Sequence, residues 1–296
     1  MRVFVIGNVA MDETFAVDRL PVEGESVLGS RRSSDLGGKG ANQAIMMARA
    51  GMDVTFVAGI GDDLAADRMR RRLTAEPLRA ELVTLPGVAS DLSIVVTDAA
   101  GGNTILTTVD CSRSLTLDHL GRALAPATKG DMLVLQGNLT AGLTGALIDL
   151  AWARGMRSVL NPSPADPAQG GLLGRVDLVF LNDGEAEYFT AMRGVAAVRD
   201  LLARGTGQVV LTLGAAGALL GDAAGIVPVP ATRAELVDPT GAGDTFQAIA
   251  LAHAGARRLS PADLACAARA AAVTVSRVGT VAAMPTPDEA ARLLAG

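Results

Sequence analysis

Short apolar runs alternating with helix-length stretches constrain this chain more than any other feature. Residues 3–6, 55–58, 132–136, 158–161, 178–181 and 209–213 read as buried strands. Helical patterns lie between several of them, over 41–50, 63–73, 143–154, 185–190 and 195–203. A strand that is apolar on both faces needs cover on both sides. The alternation therefore predicts an α/β fold with a mostly parallel central sheet. Ligands of such sheets bind beyond the carboxyl ends of the strands. Two segments break the rhythm, 10–36 and 92–108. Both are extended and punctuated by turns, at Leu20-Pro21-Val22-Glu23-Gly24 and at Asp98-Ala99-Ala100-Gly101-Gly102-Asn103. They read as antiparallel strands with little to cover them, hence a small lid over the site. Helices over 261–278 and 286–295 close the chain, and residues 1–296 read as one domain without an internal repeat.

Composition narrows the class. The hydrophobic share is 49% and the charged share 19%, enough to bury a full core. The formal net charge is −5 with no basic block, so nucleic acid is not an expected partner. Arginine carries nearly all the positive charge, because Lys39 and Lys129 are the only lysines. Cys111 and Cys266 stand alone and read as small buried residues in a reducing compartment. No apolar run has membrane-spanning length, and the N-terminus lacks the pattern of a secretory signal. A cytoplasmic location is the expectation.

The richest stretch for chemistry is Asp238-Pro239-Thr240-Gly241-Ala242-Gly243-Asp244-Thr245-Phe246. Three small residues precede an apolar run, 246–254, that reads as a helix. That arrangement aims backbone N–H groups and the positive end of a helix dipole at one point, a site for an anion such as phosphate. Asp244 puts a carboxylate at the same point. Two negative groups there repel unless the phosphate brings Mg²⁺ or the acid has a proton to take, which suggests phosphoryl transfer. Alone, the stretch also fits an ordinary glycine-rich helix start with an acid favoured by the dipole.

Two further segments add to it. Gly37-Gly38-Lys39-Gly40-Ala41-Asn42-Gln43 opens the helix over 41–50. Its glycines let backbone approach a ligand closely, and Lys39 and Asn42 can bond to hydroxyls. It is not a Walker A loop, since glycine follows Lys39. A flexible strand-to-helix loop fits this segment equally well. Asn182-Asp183-Gly184-Glu185 follows the strand over 178–181, and alone it reads as a helix cap.

Together the three segments, in this order and with Gly7 and Asp12 upstream, resemble the ribokinase-like (PfkB-type) family of sugar and nucleoside kinases over nearly the whole chain. The resemblance implies a three-layer sandwich with a mostly parallel central sheet and a β-lid over the sugar. It implies ATP-dependent phosphorylation of a primary hydroxyl of a small sugar. Asp244 then matches the base that takes the hydroxyl proton, with Gly241, Ala242, Gly243 and the Asp244 N–H as the anion hole. Asp12, Gly38, Lys39 and Asn42 match sugar contacts, and Asn138 stands at a further sugar-side position. Asn182, Thr212 and Gly214 match nucleotide contacts. Glu185 matches the group that organises Mg²⁺, through water. Asp238 and Thr240, with backbone near Thr274, Arg277, Gly279 and Ala283, match a monovalent-cation site, which brings K⁺ into the expected set. Val27, Leu28, Ile94 and Val96 of the lid can clasp a second copy as a homodimer, and a monomer is equally allowed.

Two sugar-side positions depart from the ribokinase pattern. Ala10 stands where an asparagine is expected, and Asn138 in Gln136-Gly137-Asn138-Leu139 replaces a glutamate. Sites built around hydroxyls discriminate strongly, so the sugar is left open between ribose, another pentose, a ketohexose, a sugar acid and a nucleoside. A nucleoside kinase would need a wider apolar pocket, which Leu106, Thr108 and Val109 could line. A silent sugar or nucleotide sensor would be expected to lose Asp244 or its glycines, and both are intact. A Rossmann dehydrogenase is weaker still, since the first strand is not followed by GxGxxG. His119 and His253 have no metal spacing. Residues 68–72, with four arginines, read as a solvated helix face, and Trp152 reads as packing with Leu147 and Ile148.

Overall fold

The computed structural model describes residues 1–98 and 103–296. Nine strands make the main sheet: β1 (Arg2–Ile6), β4 (Asp53–Ile60), β5 (Arg79–Thr84), β8 (Met132–Gln136), β9 (Arg157–Asn161), β10 (Leu178–Asn182), β11 (Gln208–Thr212), β12 (Ala218–Asp222) and β13 (Gly225–Val229). Their order is β13-β12-β11-β10-β9-β8-β1-β4-β5. All neighbours from β11 to β5 run parallel, and only the β11-β12-β13 edge is antiparallel. The six strands expected from sequence are all present. β5, β12 and β13 were not foreseen: β5 carries the mixed stretch Arg79–Thr84, and β12 and β13 hold Gly and Pro, which blunt an apolar pattern.

The alternation of β1 shows why the sheet is covered twice. Val3 and Val5 belong to one buried cluster, Phe4 and Ile6 to the other. The first cluster includes residues of α1 (Lys39–Arg49), α2 (Leu64–Thr74), α8 (Ala242–Ala254) and α9 (Pro261–Val275). The second includes residues of α4 (Leu117–Leu124), α5 (Ala141–Arg154), α6 (Asp183–Thr190) and α7 (Gly194–Ala203). A short α3 (Asp110–Arg113) and a C-terminal α10 (Pro287–Ala295) complete the helices. Helix, sheet and helix thus form three layers. Large side chains such as Phe4, Phe56 and Ile45 are fully buried in them, and truncating any one of these to alanine costs about 2–5 kcal/mol.

The smaller sheet is made by β2 (Ala10–Val17), β3 (Gly29–Gly37), β6 (Leu92–Thr97) and β7 (Asn103–Thr107), in the order β3-β2-β6-β7. It is not wholly antiparallel as the sequence suggested. The two hairpins are, but their central pair, β2 and β6, runs parallel. The reason is topological: β4, α2 and β5 intervene, so β6 enters in the direction of β2. Of the turn expected at 98–103, residues 99–102 lie outside the described set.

One surface expectation changes and another gains detail. The arginines of α2 stay at the solvated surface, but three of them are also tied down. Arg68 donates to Ser34 Oγ (2.6 Å), Arg72 pairs with Asp35 and Arg70 donates to Thr84 Oγ1 (2.7 Å), so the helix is tied to the small sheet and to β5. Trp152 does not pack with Leu147 and Ile148. It is 84% exposed, because α5 buries the faces carrying Leu147, Ile148 and Ala151 and turns position 152 outward. The histidines serve local structure: His119 closes the capping box of α4 with Thr116, and His253 meets buried Asp263 at the start of α9.

Candidate active site

The helix carrying Asp244 starts at Ala242, one turn earlier than the apolar run indicated, so Gly243 and Asp244 fall inside its first turn. Gly241, ahead of it, takes φ +77°. No side chain caps this end. The N–H groups of Gly243 and Asp244 therefore have no partner one turn back inside the helix. A Cβ built on Gly243 meets nothing within 4 Å, so the space beside it is open. An uncapped, dipole-positive helix start facing open space fits a phosphoryl group.

Asp244 is 5% exposed and gripped on both oxygens. Oδ2 accepts from Asn42 Nδ2 (3.0 Å) and Oδ1 from Gln43 Nε2 (2.9 Å). Both donors sit on α1, which packs along α8. That approach depends on the glycine pair before α1. Gly38 has φ +93°, and a Cβ there would lie 2.9–3.0 Å from Ala10 N, Asn8 O and Val9 Cα. A Cβ at Gly37 would lie 2.0 Å from Asp12 Oδ2, so glycine leaves room for that carboxylate. Lys39 is the first residue of α1 and half-buried.

Asp12 sits on β2, opposite Asp35 on β3 and Ser93 on β6. Thr280 Oγ1 donates to its Oδ2 at 3.3 Å. Burial pushes its carboxyl up to about 6; the Thr280 and Ser93 hydroxyls oppose the rise, and the charges of Asp244 and Asp35 add to it. A folded-state value above the unfolded 3.8 means that the fold favours the neutral acid. The stabilisation is complete below about 3.8 and is lost as pH rises through about 6. Asp12→Asn, measured by denaturant unfolding near pH 8, is accordingly expected to stabilise the protein by up to about 3 kcal/mol. The gain should vanish near pH 4.

Four buried acceptors near this end of the sheet lack hydrogen-bond donors: Asn42 Oδ1, Gln136 Oε1, Asn138 Oδ1 and Asn161 Oδ1. Gln136 ends β8, and Asn138 follows two residues later. Buried carbonyls of this kind suit a ligand rich in hydroxyl donors.

Asn182 and Thr212 are register partners at the carboxyl ends of β10 and β11. Thr212 Oγ1 donates to Leu181 O (3.4 Å), and Gly214, at φ +57°, opens the turn beyond. Asn182 and Glu185 form the helix cap that local sequence allowed: Asn182 Oδ1 accepts from Glu185 N (2.8 Å) and Glu185 Oε2 from Asn182 N (2.9 Å). One glutamate oxygen is thereby engaged. Among the described residues no cluster of three or more His, Cys, Asp or Glu could hold a metal by itself. Mg²⁺ held by one carboxylate, water and substrate phosphates is compatible with that donor set.

On the far side of Gly241 a loop system gathers. Asp238 accepts from Thr240 N (2.9 Å) and Gly279 N (3.0 Å). The Thr274 carbonyl accepts from Arg277 N, and the Thr280 carbonyl from Ala283 N. Thr274 Oγ1 meets Thr245 Oγ1 at 3.0 Å, which ties the last turn of α9 to α8. The Arg277 side chain turns away to Glu289, leaving its backbone on the loop.

Sequence reasoning gave no role to Gln43, Gln136, Gln247 or Thr280, though all four touch this region. A glutamine inside the apolar run of α8 was the available signal, since an uncharged polar residue there needs buried partners.

A mostly parallel sheet with helices on both faces, and an acid at an uncapped helix start, fit an enzyme that handles phosphate. The model of the pfkB family carbohydrate kinases matches residues 1–287, and the chain belongs to that family as a sugar kinase. The chain is 29% identical to ribokinase of Bacillus subtilis over 294 residues, covering 99% of each. It is 30% identical to deoxyribokinase of Salmonella typhi over 254 residues, 83% of each. Ribokinase of Arabidopsis thaliana, solved in complex with ribose and ATP, superimposes with a TM-score of 0.83 at 25% identity, covering 99% of this chain and 98% of that one. Among the described residues no helix is long and apolar enough to cross a membrane.

Proposed function

We propose that this kinase moves the γ-phosphoryl group of ATP to a primary hydroxyl of a ribose-like pentose or closely related sugar, with Asp244 as the base. The observation that carries the reading is the Asp244 carboxylate: buried, held on both oxygens, and set in the first turn of an uncapped helix. Asp244 takes the proton as the sugar oxygen bonds to phosphorus, the bridging P–O bond breaks, and its electron pair leaves with ADP. Such transfers have loose transition states, so fixed donors matter more than covalent chemistry. The N–H groups of Gly243 and Asp244, with the Gly241–Gly243 backbone, would take up charge on the migrating group, at about 3–4 kcal/mol per well-placed donor.

Asp12, Gly38, Lys39, Asn42 and Asn138 are assigned to the sugar, supported by the unpaired acceptors at 42 and 138. Asn182, Thr212 and Gly214 are assigned to the nucleotide, and Glu185 to Mg²⁺ through water. Strands 10–17, 29–37, 92–97 and 103–107 would close as the lid, and exposed Leu28 with Val27, Ile94 and Val96 would face a second copy. The relatives named ribokinase and deoxyribokinase support a pentose, although Asn138 leaves the choice among sugars to experiment. ADP release across pentoses, hexoses, sugar acids and nucleosides tests the reading. Highest activity with a pentose is expected, and turnover of nucleosides alone would overturn it. Because burial pushes the Asp12 carboxyl up to about 6, the sugar KM should also rise as pH falls below that value.

Asp238, Thr240 and the carbonyls near Thr274, Arg277, Gly279 and Ala283 are assigned to a monovalent cation that steadies the anion-hole loop. Adding K⁺ to K⁺-free enzyme is expected to raise kcat/KM by about tenfold, since loop order acts on positioning. Asp238→Ala should abolish that response. An unchanged rate with K⁺ would remove the cation from the account.

A further inference from the structure

We propose that Gln43 is the positioning residue of Asp244, itself held by a relay of buried amides from Gln136, Gln247 and Asn161. The proposal rests on the reading of Asp244 as the base. An ionised carboxylate only accepts hydrogen bonds, so Gln43 must turn its NH₂ group toward Asp244 Oδ1. Its Oε1 then points the other way and accepts twice, from Gln136 Nε2 at 2.8 Å and from Gln247 Nε2 at 3.1 Å. Gln247 Oε1 in turn accepts from Asn161 Nδ2 at 3.2 Å. Each amide has one orientation that avoids oxygen against oxygen. The carboxylate sets the first link, and every later link follows from it.

The members come from four elements, α1, β8, α8 and β9, and all three glutamines are fully buried. Methionine or leucine would fill this volume without polar atoms to satisfy, so packing does not account for them. The backbone accommodates the relay as well: a Cβ on Gly7 would sit 1.8 Å from Gln136 Oε1. With Asn42 on the other oxygen, Gln43 fixes the plane of the carboxylate and therefore the direction in which it can receive a proton. Gln43 is not placed against the sugar; it acts through Asp244.

The test is ADP release with ATP and D-ribose, 2-deoxy-D-ribose or whichever panel sugar reacts fastest, in four variants, with thermal melting alongside. Gln43→Met keeps the length and removes the donor: kcat should fall about 10–100-fold with sugar KM within about threefold. Gln43→Glu keeps the shape but faces Asp244 with an acceptor, so its kcat should fall below that of Gln43→Met. A packing role predicts the opposite order. Gln247→Met, one link further out, should lower kcat by about 3–10-fold at constant KM. Gln43→Met within twofold of the parent, or Gln43→Glu at or above Gln43→Met, overturns the proposal. If both position-43 variants fail to fold, Gln247→Met decides, and a kcat within twofold of the parent overturns it. Asp244→Asn separates the two readings. Retained turnover there defeats the base itself, whereas lost turnover with an unaffected Gln43→Met defeats the relay alone.

Discussion

Asp244→Asn is expected to lower kcat by about 10²–10⁴-fold while leaving the sugar dissociation constant within about threefold. The amide keeps the size of the acid and one acceptor oxygen, so the contacts to Asn42 and Gln43 can be retained in part. What it cannot do is take a proton from an alcohol. Binding measured by calorimetry and turnover measured by ADP release should therefore separate. Parallel losses in both would mean that Asp244 serves chiefly to bind the sugar, and near-normal turnover would remove it from the chemistry.

The second large effect is expected at Gly38. Its φ of +93° is a conformation that side-chain-bearing residues seldom adopt, and three backbone atoms lie within about 3 Å of where a Cβ would stand. None of them is a flexible side-chain end that could swing aside. Gly38→Ala should cost about 3 kcal/mol of stability in denaturant unfolding. Because β2 and α1 meet there, the same change should displace Asp12 and Asn42 together and raise the sugar KM. A variant of unchanged stability would show that the backbone can leave this conformation cheaply. Gly51, at φ +84° with nothing within 4 Å of its Cβ position, provides the control: alanine there meets strain without collision.

Much of this was readable from residue pattern. Six of the seven inner strands announce themselves because strands covered on both faces are apolar throughout, and the helices between them follow from their 3.6-residue period. The glycine segments could be read because closely approaching backbone excludes side chains, as at Gly37 over Asp12. Other features lay beyond that reading. The parallel pairing of β2 with β6 depends on which chain ends meet, which no local pattern encodes. The exposure of Trp152 depends on the rotation of α5, and an alanine-rich helix with apolar residues all round offers no polar face to orient it. Gln43 and Gln247, two of the amides behind Asp244, are 204 positions apart, and the packing of α1 on α8 brings them together. The Asn182–Glu185 cap shows how one local signature fits two readings, since a capping box and a site at a helix start use the same residue types.

The most direct measurement of the central claim is the phosphorus NMR spectrum of the product, recorded with proton coupling after incubation with ATP, Mg²⁺, K⁺ and a pentose. Transfer to a primary hydroxyl predicts an ester phosphorus split into a triplet by the two protons of one CH₂ group. A doublet, from an ester on a secondary carbon, or the absence of any sugar ester beside unconsumed ATP, would contradict the account.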